Sequence, residues 1–458
     1  MLAARVLIAT GVFLAFAGLL SHPAAADLVS ASTAYQKGDY SKAFQDFREL
    51  AELGQPTAQF NLAVMYAKGQ GVRQSEIYAY AWASLAAENG LEKAKTLADT
   101  LRPGLAPGSE KIAADIEAQF GNAVLDARLN PKVIDSAEHE DRTRCWPVHP
   151  YIPPYPGDAQ RHGIQGQVYV EFSVMPDGRS RNPRIIYAVP SGHFEPTVRD
   201  SLLHSEFAAA SGQSPIQCTM FYRFALSGAG DYSQLDSFVN ATLAQAKAGD
   251  PEAQMVYGML LVGLPQLNKP RSAALPWFLK SAQAGVPVAQ YQVGFSLLKG
   301  WGCDCEENKG LDWLRRAAQS GQPDAEVTLA MYALRGSPDD ERLRQAKLWL
   351  EQASASGSRD GKLYLSALLA TAPEAQGGDP RRALVLLGEV FRGVKDDPTS
   401  FEIQAAAHAS AGEFKDAIQS EREAIAMAQK LKWDATPLNE RLAHYMTNQP
   451  WRGSLLEF

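Results

Sequence analysis

A 36-residue period constrains this chain more than any other feature. Gly249, Gly285, Gly321 and Gly357 each lie 36 residues from the next, and Trp277, Trp313 and Trp349 keep the same step, as do Ala253, Ala289 and Ala325. Near the N-terminus, Gly54 to Gly90 and Ala58 to Ala94 repeat the interval, and Trp82 follows Gly54 at the spacing that separates Trp277 from Gly249. Three residue types locked in phase imply stacked units, because so short a unit cannot bury its own apolar face and must share a core with its neighbours. Each unit reads as a helical hairpin. Apolar residues recur at helical spacing in residues 251–261 and 275–284, and the glycines fall where a helix ends in a left-handed residue. The alanines permit close helix approach, and the tryptophans are expected to pack as core between units.

The period stops between about residues 142 and 227, where alternation replaces it. In residues 167–174, Val168, Val170, Phe172 and Val174 share one face and Tyr169, Glu171 and Ser173 the other, as a half-buried strand requires. Met175-Pro-Asp-Gly178 supplies a turn, residues 184–189 a second strand, residues 194–207 a helix and residues 217–226 a last alternating strand. The expected order is strand, strand, helix, strand.

With 458 residues, 46% apolar and 21% charged, the chain has room for several globular units and resembles neither a collagenous nor a disordered protein. A net charge of -7 without a long basic tract argues against nucleic-acid binding. Arg5, the apolar run Val6 to Leu20 and Ala24-Ala25-Ala26 read as an export signal, with the mature chain expected to begin at Asp27. The rival reading is an uncleaved anchor, although the run falls short of the roughly 20 residues a spanning helix needs.

Residues 51–72, AELGQPTAQFNLAVMYAKGQGV, resemble the Sel-one-like repeat, a relative of the tetratricopeptide repeat, and Trp313-Leu-Arg-Arg-Ala-Ala-Gln-Ser-Gly321 carries its second-helix signature. Gly38-Asp-Tyr-Ser-Lys-Ala43 and Gly412-Glu-Phe-Lys-Asp-Ala417 look like tetratricopeptide-type turns. These families imply protein-binding scaffolds. In the middle segment, Tyr155-Pro156, Gly163-Ile164-Gln165-Gly166, Met175-Pro-Asp-Gly178 and Gly192-His-Phe-Glu195 resemble the C-terminal domain of TonB energy transducers. That resemblance implies a periplasmic domain whose final strand offers its edge to an extended peptide, the TonB box of outer-membrane receptors. It would place the edge on Gln217, Thr219, Phe221 and Arg223. A transducer, however, ends in this domain and carries a long proline-rich spacer. Here the only proline-dense segment is Trp146 to Pro156.

The expected organisation follows from these readings: a signal peptide at 1–26; Sel-like or tetratricopeptide-like repeats at 27–130; a linker at 131–156 with a proline-rich end; a TonB-C-like domain at 142–227; period-36 repeats at 232–371; and degenerate repeats with a cap at 372–458. The fold class is mainly α with an α+β insert, two α-solenoid arrays flanking a small strand-strand-helix-strand domain.

The chemical inventory is sparse. Cys145 and Cys218 bracket the strand domain and are expected to pair in an oxidising compartment, and Cys303 with Cys305 reads first as a local disulfide. Arg179, Arg181 and Arg184 read either as contacts for an acidic partner or as a solvated cluster. No zinc spacing, nucleophile elbow or phosphate loop occurs in the sequence, so no catalytic residue, metal or cofactor is assigned and the chain is not read as an enzyme. The expected partners are proteins or peptides of the cell envelope, an outer-membrane receptor among them, with no nucleic acid and no small-molecule substrate. The functional reading is a periplasmic interaction scaffold. The alternative is a TonB-type transducer kept at the inner membrane by its N-terminal segment.

Overall fold

The computed structural model describes residues 28–89, 91–134, 145–208, 215–226, 233–264, 267, 269–336, 338–390 and 397–455. The signal peptide expected at 1–26 lies outside the described residues, as do residues 135–144 of the expected linker. No described helix is long and apolar enough to cross a membrane.

The repeats are helical hairpins. Proline opens the helices Pro251–Gly263, Pro287–Lys299 and Pro323–Leu334, where its missing N–H costs nothing. Gly249, Gly285, Gly321 and Gly357 have φ between 79° and 99°, so a side chain at these inter-helix turns would be strained. Trp82, Trp313 and Trp349 are buried, whereas Trp277 is half-buried and meets Tyr257 edge-on at 5.2 Å. One repeated contact went unread in the sequence. Gln59, Gln254 and Gln290 occupy one phase of the period, and each buried Nε2 donates to the carbonyl eight residues earlier, Ala51, Ala246 and Ala282, at 3.2 Å. The side chain thereby adds a second donor to a helix-terminal carbonyl that already accepts from the N–H of the turn glycine.

The N-terminal array, from Leu28–Gln36 to Asn122–Leu129, meets the second array through the chain that leaves it. Trp313 Nε1 donates to Leu129 O at 2.9 Å, Lys309 Nζ to Asn130 O at 3.2 Å, and Ile134 N to Gly302 O at 2.9 Å.

The insert contains β1 (Pro147–His149), β2 (Gly166–Val174), β3 (Ser180–Val189), the helix Glu195–His204, β4 (Glu206–Phe207) and β5 (Ile216–Phe224). An antiparallel three-stranded sheet has the order β3-β2-β5, and β1 pairs separately with β4. β2 and β5 run in unbroken register from Gly166 opposite Phe224 to Val174 opposite Ile216. The expected helix at 194–207 ends at His204, because Glu206–Phe207 is extended and pairs with β1. The strand expected from residue 184 begins at Ser180.

The half-buried strand expected at β2 is buried on both faces. Val168, Val170 and Phe172 pack with Val198, Leu202, Cys218 and Met220 under the insert's own helix. The opposite face, with Tyr169 and Phe221, packs against Tyr291, Phe295 and Trp301 of the second array. A face that alternation marks as polar is thus covered by another part of the chain.

Trp313 sits at the junction of the two arrays, fully buried and hydrogen-bonded. Trp313→Ala is expected to cost about 3–5 kcal/mol in chemical denaturation. Trp313→Phe keeps most of the packing but leaves the Leu129 carbonyl without its donor, and should cost about 1–3 kcal/mol.

Candidate partner-binding edge

β5 is a terminal strand, and among the described residues no strand pairs with its outer side. Its side chains are disposed differently from the sequence expectation. Gln217 Nε2 donates to Ser173 Oγ at 2.8 Å, Thr219 is buried, and Phe221 packs against the repeat core. Of the four expected contact residues, only Arg223 presents an exposed side chain. What β5 offers outward is therefore backbone. The proline-rich segment pairs with β4 through β1 and not with β5. It is tied down by Tyr151 N to Ser205 Oγ at 3.0 Å and by Tyr155 Oη to Ile164 O at 2.6 Å.

A disulfide joins Cys145 to Cys218 with Cα atoms 5.4 Å apart, linking the proline-rich segment to β5. Trp146, Val148 and Ile152 on that segment, and Ile216 at the start of β5, are exposed apolar residues, Ile152 at 81%. The local disulfide expected between Cys303 and Cys305 is not formed. Both thiols are free and donate to helix-end carbonyls, Cys303 to Ser296 O and Cys305 to Leu298 O. Burial, with acidic neighbours, pushes the Cys303 thiol up to about 12, which favours the protonated thiol at neutral pH.

The arginine cluster faces inward, which corrects the reading of a solvated or partner-facing patch. Arg179 pairs with Glu206 at 2.9 Å, and Arg181 pairs with Asp177 at 3.6 Å while its guanidinium lies over the Trp433 ring. Arg184 is buried. Its Nη2 donates to Glu171 at 2.6 Å and its Nη1 to Thr328 Oγ1 at 3.0 Å and Tyr291 Oη at 3.3 Å. Lys299 reaches the other Glu171 oxygen at 2.5 Å. Further along the seam Arg199 pairs with Asp360 at 3.3 Å. The polar face of the sheet thus meets the first helices of two successive repeats, through an ion pair to Lys299 and a hydrogen bond to Thr328, and the insert's helix reaches a third through Arg199. His408, Glu413 and Asp416 bring ligand atoms within 4.8 Å of one another at an inter-helix turn, but the two carboxylates are exposed.

Burial pushes the Glu171 carboxyl up, yet Lys299 and Arg184 together pull it down to about 2. A carboxylate held low stabilises the fold fully above its unfolded value and loses that contribution as the pH falls from about 4.5 to about 2. Glu171→Gln leaves two buried cations short of a counter-charge and is expected to lower stability by about 3–5 kcal/mol at neutral pH. Melting temperatures recorded across that acid range should show a smaller pH-dependent loss in the variant than in the native chain.

Comparison with known proteins bears on this architecture. The family model described as Gram-negative bacterial TonB protein C-terminal matches residues 152–226, and the Sel1 repeat model matches residues 56–91, 243–286, 287–322 and 323–358. Protein TonB of Escherichia coli (strain K12) is 35% identical over 71 residues, which covers 16% of this chain and 30% of that protein. Protein TonB of Klebsiella pneumoniae is 37% identical over 76 residues, covering 17% and 30%. The chain thus spans about 30% of the length of these curated relatives. A protective antigen of uropathogenic Escherichia coli strains displaying an SLR fold aligns at TM-score 0.36 and 17% identity, over 93% of this chain and 73% of that one. A Sel1 repeat protein from Oxalobacter formigenes aligns at TM-score 0.34 and 19% identity, over 48% and 93%. The chain carries a TonB C-terminal domain at residues 152–226, set between Sel1 repeats at 56–91 and 243–358.

Proposed function

We propose that the protein is a periplasmic interaction scaffold that captures an extended peptide by strand addition to β5. The observation that carries this reading is the position of β5 as the terminal strand of the β3-β2-β5 sheet, with no strand on its outer side among the described residues. An open edge must be covered, blunted or used, and an incoming strand would gain backbone hydrogen bonds there. The likeness to the TonB proteins of two enteric bacteria supports an envelope setting. The exposed Trp146, Ile152 and Ile216 offer apolar contacts to alternate side chains of such a peptide. The repeats hold the domain and leave their other surfaces for a protein partner. A transducer role is the second reading, favoured by the identity to those same relatives. It requires the N-terminal apolar segment to stay attached, so N-terminal sequencing of protein from the membrane and periplasmic fractions separates the two.

Two adjacent proline substitutions test the edge. Backbone N–H groups alternate in direction along a strand, so of Tyr222→Pro and Arg223→Pro one removes an outward donor and the other a donor to β2. The outward variant should abolish binding of a TonB-box peptide from an outer-membrane receptor while melting like the native chain. The inward variant should lower the melting temperature. Hydrogen exchange gives the decisive control: if all amides of residues 216–224 are fully protected without any peptide, the edge is occupied internally and strand capture is wrong.

A further inference from the structure

A cavity of about 710 Å³ opens where the insert, the repeats and the C-terminal segment meet. Its volume lies in the range of small-molecule sites. One wall is the β2–β3 turn, another the ends of the helices Pro323–Leu334 and Arg359–Thr371, and a third the segment Arg452 to Leu455. Leu334, Leu343, Leu368 and Leu455 supply apolar surface.

The charges that line it are unevenly committed. Asp177 is used inside the protein: its carboxylate accepts from Arg179 N at 2.8 Å and Asp434 N at 2.9 Å and pairs with Arg181. Asp434 accepts from Thr436 N at 2.9 Å, and the Thr436 N–H and hydroxyl hold its carboxyl below the usual range. Arg181 is fixed between Asp177 and Trp433. Arg335 and Arg452 differ. Arg335 lies 3.9 Å from the Tyr332 ring centroid, and Arg452 is held by carbonyls, its Nη1 donating to Thr371 O and Ala372 O and also to Ser410 Oγ. Both are positioned, and neither is ion-paired to a carboxylate of the described residues.

We propose that this cavity binds a small amphipathic anion, a carboxylate carrying one apolar chain or ring, with Arg335 and Arg452 taking the head group and the leucine walls taking the body. Guanidinium forks match carboxylate geometry, and a preformed apolar pocket with a few convergent polar groups is the usual form of such a site. Because Pro215, the residue before β5, also lines the cavity, the ligand would sit at the start of the candidate edge. The proposal does not depend on that edge being used.

The test holds the apolar tail constant and varies the head. In calorimetric titrations of the full chain, octanoate should bind at least about tenfold more tightly than octanol, a difference of roughly 1.4 kcal/mol, and octylammonium should not bind. Arg335→Gln and Arg452→Gln should each bring octanoate close to octanol while the variants still unfold in a single cooperative transition well above the titration temperature. Equal affinity for octanoate and octanol, an octanoate preference that survives both substitutions, or no octanoate binding at millimolar concentration would each overturn the assignment.

Discussion

The Glu171 carboxylate holds two cations from different parts of the chain, Arg184 from its own sheet and Lys299 from the repeats. None of the three can be buried alone, because an isolated charge in a dry interior loses its hydration without compensation. The insert is therefore oriented on the repeats by a charge match that admits little sliding. A buried pair adds little net stability over an apolar replacement, so its main consequence here is position. Tyr291 and Thr328 share Arg184 and extend the match over the first helices of two successive repeats.

That docking decides which surfaces remain for partners. The helices Pro287–Lys299, Pro323–Leu334 and Arg359–Thr371 supply Lys299, Thr328 and Asp360 to the seam, so this face of the array is engaged within the chain. A partner of the repeats must use another face or the N-terminal array. The N-terminal array is itself tied back through Leu129 and Asn130 to Trp313 and Lys309.

What was legible in the sequence was whatever a local pattern carries. The 36-residue step located Gly249, Gly285, Gly321 and Gly357 at turns because positive φ is a property of a single residue. The alternation in β2 and β5 was equally local, and the order of strands and helix followed from it. Glu171 was misread for the same reason: in an alternating strand it looks like a solvent-facing residue, and its burial depends on Lys299, far along the chain. Arg184 was misread with it. The short β1–β4 pair left no signal, since two or three residues are too few to show a period. The pairing of Gln59, Gln254 and Gln290 with helix-end carbonyls was present in the period, but a polar residue in a repeat reads as surface until its partner is known.

A sheet covered on both faces can still be recognised, but only along its edge. Glu171, Tyr169 and Phe221 face the repeats and Val170 and Met220 face the insert's own helix, so side chains of the sheet itself offer a ligand little. Recognition at β5 would then run through backbone groups, which every peptide possesses, and would discriminate poorly by itself. Discrimination has to come from what borders the strand. On one flank lies the segment that the Cys145–Cys218 disulfide ties to β5, with Trp146 and Ile152 exposed. At the strand's start lies the cavity that Pro215 lines together with Arg335 and Arg452. The repeats and the C-terminal segment thereby contribute to the surroundings of the β5 edge.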